Sequence, residues 1–387
     1  MKKRFLALAM VGALSLGLLA GCAGGNNGGS TGGSAAFKLG GTGPLTGGAA
    51  IYGNAAKNGA QIAVDEINAA GGAIQFELKY EDDSHDAEKA VNAYNALKGW
   101  GMQISLGSVT STPGEATAAL TYTDRIFALT PSASSSSVIA GKDNMYQMCF
   151  VDPNQGLASA QYINDKGLAT KVAVIYKSDE VYSKGIYDTF MGKAKELGLD
   201  VVSETSFMDG SDTDFNAQLT AAKNKGADLI FLPMYYTPAS LIMAQASAMG
   251  YAPKFFGVDG MDGILTMEGF DASLAEGVIL LTPFNADSED EATKSFVAKY
   301  KEKFGEVPNQ FAADAYDCVY AYKAALEKSG ATPDMSAQDL CAKMIEVFSS
   351  FTFDGLTGEG MTWATTGEVN KSPKGMIIQN GSYVGMD

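Results

Sequence analysis

The side chains able to do chemistry in this 387-residue sequence are chiefly hydroxyls and carboxylates. Thr110-Ser111-Thr112 stands after the apolar run 103–106 and before a helical pattern. Ser132 and Ser134 occupy the same kind of place after the run 126–129. Hydroxyls beside the free N–H groups of a helix start can cap that helix or bind a carboxylate, and the two uses are compatible. Asp259, in Val258-Asp259-Gly260 after the run 254–258, reads by itself as a turn aspartate. In a dry cleft the same carboxylate would hold an ammonium. A free amino acid presents both complementary groups within one residue's length.

Catalytic chemistry finds little support. The chain has one histidine, His85, so a zinc site with several histidine ligands is excluded and a Ser-His-Asp triad has a single candidate base. His85 lies in Glu81-Asp82-Asp83-Ser84-His85-Asp86, which reads as a solvated turn leading into a helix. The glycine-rich 40–48 stretch contains neither dinucleotide nor P-loop spacing. No GxSxG elbow occurs. The run 209–214 (DGSDTD) lacks the central glycine and distal glutamate of a calcium loop and reads as a loop ending in a helix cap before Phe215. No cofactor and no metal are expected.

These residues need elements to position them. Ile74, Phe76, Leu78 and Tyr80 alternate with polar residues, the period of a half-buried strand. Further strands are expected near 103–106, 126–129, 171–176, 229–232, 254–258 and 278–281. Helical patterns at 183–197, 215–225 and 239–249 separate several of them. Such alternation predicts an α/β fold of parallel sheets with helices on both faces, whose ligands bind beyond the carboxyl ends of the strands. Each hydroxyl or carboxylate named above follows a predicted strand.

The N-terminus sets an expected compartment. Lys2, Lys3 and Arg4 precede the apolar run 5–19, about the length of a signal core and too short for a comfortable membrane span. Leu19-Ala20-Gly21-Cys22 then reads as a lipobox, with 1–21 removed and Cys22 carrying a diacylglyceryl group, whose two chains suffice for stable anchoring. Residues 23–36 are Gly, Asn, Ser and Ala with one Thr, a flexible tether to the outer face of the cell membrane. With Cys22 lipidated, Cys149, Cys318 and Cys341 remain; the last two can pair or stay as buried thiols. A net charge of -16 repels phosphate backbones, so nucleic acid is not an expected partner.

Several motifs occur in a fixed order: GTGPLTGGAAIYG (41–53), GAQIAVDEINAAGG (59–72), GSVTST (107–112), LTPSASS (129–135), VDPNQG (151–156), DLIFLPMYYTP (228–238) and FFGVDG (255–260). Over 37–387 the chain resembles the Leu/Ile/Val-binding family of periplasmic-type substrate-binding proteins. The resemblance implies a type I two-lobed fold with three hinge crossings, lobe 1 being 37–152 plus 283–362 and lobe 2 being 153–282 plus 363–387. It implies a monomeric, non-enzymatic subunit of an ABC importer, which closes on an amino acid and delivers it to a permease. In the family's register Ser111 and Ser134 take the carboxylate. The Ser132 carbonyl, the Ser134 hydroxyl and Asp259 take the ammonium, and Asp152 acts mainly at the hinge. Tyr52, Val109, Tyr182, Tyr235 and Phe311 line the side-chain pocket. Asp replaces the Glu of the best-known branched-chain binders at 259. The Cys pair those binders carry falls here near Ser84/His85 and Thr110 and is absent, which puts Leu/Ile/Val specificity in question. A non-amino-acid solute, such as an amide, a urea derivative or an aromatic acid, or a sensor role at a membrane receptor, remains an alternative.

Overall fold

The computed structural model describes residues 35–386. Strands β1 (Phe37–Gly43), β2 (Phe76–Asp82), β3 (Ile104–Ser108), β4 (Phe127–Thr130) and β5 (Met145–Gln147) form one sheet, in the order β2-β1-β3-β4-β5. Every neighbouring pair in it is parallel. Strands β6 (Val172–Lys177), β7 (Val201–Phe207), β8 (Leu229–Leu232), β9 (Lys254–Gly257) and β10 (Ile279–Thr282) belong to a second sheet. After a small ladder of β11 (Thr352–Phe353) and β12 (Met361–Thr362), the strands β13 (Lys374–Gln379) and β14 (Ser382–Gly385) complete that sheet, in the order β14-β13-β10-β9-β8-β6-β7.

The expected parallel sheets hold, with one correction. β13 and β14 run antiparallel to their neighbours. Their turn is Asn380-Gly381, both at positive φ (53° and 72°), a pair suited to a two-residue hairpin. β7 was not expected from the sequence. It is an edge strand whose Ser203, Thr205 and Ser206 break the apolar run expected of a buried parallel strand.

In the second sheet Val172 and Val174 face one apolar cluster while Ala173 and Ile175 face another, so both sides of β6 are covered. Two glycines allow the helices to pack closely. A Cβ at Gly59, in helix Ala50–Ala69, would lie 1.9 Å from the Ala312 carbonyl oxygen. This contact brings the late helix Gln310–Ser329 onto the first sheet's own helix. A Cβ at Gly156, in helix Asp152–Asp165, would meet the Thr189 hydroxyl at 2.0 Å. Only a residue with no side chain fits either place.

Cys149, Cys318 and Cys341 are buried free thiols, so 318 and 341 do not pair. No helix among the described residues is long and apolar enough to cross a membrane. The signal, lipobox and tether readings fall outside the described residues, apart from Ala35 and Ala36.

Candidate functional site

The strands end where the sequence places its hydroxyls and carboxylates. Beyond β3, Thr110 precedes helix Ser111–Asp124, and beyond β4, Ser132 and Ser134 precede the short helix Ser136–Ile139. Neither helix is capped by a side chain at its N-terminus, so these hydroxyls are not N-caps. Beyond β6 comes Tyr182, beyond β8 Tyr235, and beyond β9 Asp259 in the 3₁₀ turn Asp259–Met261.

These loops meet around a small cavity of about 10 Å³, lined by Tyr52, Thr110, Ser132, Ser134, Tyr182, Tyr235, Asp259, Gly260 and Phe311. Seven of the ten predicted ligand residues are in that wall. Ser111, Val109 and Asp152 are buried beside it without lining it. Ser111 Oγ accepts the Ser135 N–H at 3.2 Å and so ties one hydroxyl loop to the other. Val109 packs against β1 near Gly43. A wider cavity of about 610 Å³, bounded by Ile51, Asp262, Phe284, Val307, Asn309 and Tyr383 among others, contains none of the ten.

Aromatic rings build most of the wall. Tyr182 and Tyr235 stack at 4.6 Å and 2°. Tyr52 packs against Phe311 at 4.7 Å and against Tyr236 at 4.9 Å. The Tyr52 hydroxyl donates to the Gly260 carbonyl at 2.5 Å and accepts the Tyr236 N–H at 3.0 Å. This pins the helix after β1 to two loops of the second sheet. Thr237 adds a bond to the Gly48 carbonyl at 2.6 Å. Thr112 reaches Glu180 at 3.4 Å. The two sheets' loops are therefore in contact across the cleft.

Asp259 is 3 % exposed and is no solvated turn aspartate. Its carboxylate accepts the Tyr182 hydroxyl, and its own N–H donates to Gln155 Oε1 at 3.2 Å. Burial pushes its carboxyl up to about 7, Tyr182 and Gln155 counteracting. Asp152, 1 % exposed, is pushed up as well, by burial first and also by the charges of Asp259 and Glu180, with the Ser134 hydroxyl counteracting. The Ser134 hydroxyl and the Asp152 carboxylate face each other without a hydrogen bond of good geometry, and neither has another partner. Glu180 caps helix Val181–Leu197 through the N–H groups of Tyr182 and Ser183, and burial raises it to about 7. Among the described residues no group of three His, Cys, Asp or Glu could hold a metal.

Residues 36–378 match the family described as periplasmic binding protein. The chain belongs to that family. Among its relatives, the "Leu/Ile/Val-binding protein homolog 3" of Brucella melitensis is 29 % identical over 299 residues, covering 76 % of this chain and 79 % of that protein. The "Leucine-, isoleucine-, valine-, threonine-, and alanine-binding protein" of Pseudomonas aeruginosa is 27 % identical, covering 79 % and 82 %. The crystal structure of the branched-chain amino acid transporter substrate-binding protein LivJ of Streptococcus pneumoniae, in complex with isoleucine, aligns with a TM-score of 0.80 at 29 % identity. That alignment covers 90 % of this chain and 99 % of the other. These relatives are solute-binding proteins, and this chain is a binding protein, not an enzyme.

The sequence reading placed His85 in a solvated turn. The turn is present, with Ser84 and His85 at φ 49° and 60° ahead of helix Ala87–Trp100. The imidazole, however, is half-buried: Nδ1 lies 2.8 Å from Thr110 Oγ1 and the ring meets Tyr235 edge-on at 5.4 Å. Burial, then Lys177, lowers it to about 4. Its place at the carboxyl end of β2 was the available signal, since the loops carrying Thr110, Ser132, Tyr182, Tyr235 and Asp259 lie at the carboxyl ends of their strands. Gly260 was missed because its contribution is backbone: its carbonyl receives the Tyr52 hydroxyl and its N–H donates to Tyr182 Oη at 2.9 Å.

Proposed function

We propose that this protein captures a free amino acid between its two lobes and delivers it to an ABC-transporter permease. The observation that carries this reading is the charge pattern of the cavity. A buried carboxylate, Asp259, stands in the wall with no basic partner, together with the Ser134 hydroxyl, which faces Asp152 without a well-formed hydrogen bond. An α-ammonium supplies the missing cation, and hydroxyls with backbone N–H groups receive the α-carboxylate. Ser134 is assigned to the carboxylate, Ser132 and Asp259 to the ammonium, and Asp152 to hinge support beside them, with Ser111 holding the loop that carries Ser134 through the Ser135 N–H. Tyr52, Tyr182, Tyr235 and Phe311 enclose the side chain, backed by Val109. A benzoate-like acid has no ammonium and would place a second carboxylate near Asp259, accommodated only with Asp259 protonated. The names and the bound isoleucine of the relatives point the same way.

The lobes are taken as 37–152 plus 283–371 and 153–282 plus 372–387, with closure about the three crossings between them. The end of lobe 1 is moved from 362 because Trp363, Gly367 and Lys371 are bonded to Gln147 and Asp314 of that lobe. Scattering with saturating ligand should give a smaller radius of gyration than without it. Cys22 is assigned as the lipid anchor on the outer face of the membrane, and Cys22→Ala should release the protein from membranes on fractionation. Thermal unfolding against a panel of free amino acids tests the core of the proposal, because a ligand of the native state raises the melting temperature. No shift with any amino acid, alongside a shift with a carboxylate or amide lacking an ammonium, overturns it.

A further inference from the structure

We propose that Thr110, held by His85, presents a polar wall which selects a small β-hydroxy amino acid, of the threonine kind, over a branched aliphatic one. The inference rests on the amino-acid reading above and refines it. Thr110 is 2 % exposed and lines the cavity, and its hydroxyl is held by His85 Nδ1 at 2.8 Å. His85 is itself fixed by its N–H bond to Asp83 at 2.9 Å and by the edge of Tyr235, another wall residue. A threonine hydroxyl has one donor and two acceptor positions. The single bond to His85 leaves it at least one hydrogen-bonding capacity whichever imidazole tautomer is present. The remainder of the wall is aromatic or polar. Val109, the one aliphatic residue assigned to the pocket, does not reach the cavity surface. A leucine side chain would thus lie against a hydroxyl it cannot satisfy, while a β-hydroxyl can pair with it.

Because Thr110 keeps its bond to His85 with either ligand, one neutral hydrogen bond is at stake, worth roughly tenfold in relative affinity. His85 acts as a positioning residue, through Thr110. Isothermal titration of the full chain with L-threonine and with L-leucine gives the ratio of dissociation constants. Wild type should favour threonine. Thr110→Val, which removes the hydroxyl at constant shape, should move the ratio about tenfold toward leucine. His85→Leu should move it several-fold the same way, and His85→Asn, which keeps a polar group near Nδ1, should restore it. A merely structural role would weaken both ligands alike and leave the ratio unmoved. An unchanged ratio in Thr110→Val, or in His85→Leu should the valine variant not fold, overturns the inference while leaving the amino-acid reading intact. Binding of no amino acid by wild type overturns both.

Discussion

Asp259 and Asp152 are as deeply buried as Asp314 and Asp317, yet the two pairs are built for opposite purposes. Asp314 is paired with Lys371 at 2.6 Å, and the same lysine reaches the Thr357 hydroxyl at 2.6 Å. Asp317 accepts the N–H groups of Leu356 and Thr357, each at 2.9 Å, and the Thr357 hydroxyl at 2.6 Å. Each carboxylate in that cluster is supplied by the chain itself, and the cluster ties residues 356–371 to helix Gln310–Ser329. The cleft pair has no such cation: the charges bearing on Asp259 and Asp152 are other acids. Helix Gln310–Ser329 takes part in both places, with Phe311 in the cavity wall and Asp314 one turn further on. Equal burial with unequal partners separates a structural pin from a site that awaits a positive charge.

The largest effects should come from removing the charge on each side of this contrast. Lys371→Met leaves Asp314 buried without its cation and should cost about 3–5 kcal/mol of stability at neutral pH, read as a lower midpoint of urea unfolding. An unchanged midpoint would mean the ion pair contributes nothing to the fold. Asp259→Asn keeps the size of the side chain and its bond to Tyr182 while deleting the charge. It should weaken amino-acid binding by roughly 100-fold or more at equal or higher melting temperature, and Asp152→Asn should do less. Titration within a few-fold of wild type would remove Asp259 from the ammonium site.

A pH series sharpens the same contrast. With its free-state value near 7, Asp259 must lose a proton to receive an ammonium, so the complex binds fewer protons than the free protein. Affinity should then fall as pH drops below about 7, approaching tenfold per unit. The unliganded fold should respond in the opposite sense. Asp259, Asp262 and Glu180 all have raised values, about 7, 6 and 7, so their contribution to stability is greatest at low pH and is lost as pH rises through those values. His85, lowered to about 4, opposes them over a smaller total, so the melting temperature without ligand should be higher at pH 5 than at pH 8. Parallel trends for affinity and unliganded stability would contradict the assignment. The smallest effect is expected from Tyr52→Phe. It deletes the bonds to Gly260 and Tyr236 at about 0.5–1.5 kcal/mol each, and should weaken binding about tenfold and lower the melting temperature modestly.

The alternation of apolar runs with helical patterns made most of the two sheets legible. β8 falls at 229–232 as expected, and β3, β4, β6, β9 and β10 lie within two residues of their expected bounds. What escaped was β1, whose Gly40-Gly41 and Gly43 break its apolar run, and the edges. β7 lacks the apolar signature of a central strand, and the Asn380-Gly381 hairpin went unread although its turn pair is a strong local signal. In the site, position after a strand was a sufficient guide for Ser132, Ser134, Tyr182, Tyr235 and Asp259. Ser111 and Val109 follow a strand just as closely but face a neighbouring loop or the core, and sequence position does not encode that choice.

The linear sequence, then, determined the class of fold and the kinds of groups that gather at the strand ends, because periodicity and strand-end position are local properties of the chain. It could not tell a turn aspartate from a buried one at 259, nor a solvated histidine from one bonded to Thr110 at 85. Both distinctions depend on segments far apart in the chain, Tyr182 and Gln155 in one case, Thr110 and Tyr235 in the other. Burial and pairing are sums over neighbours in space, and only the folded chain brings those neighbours together.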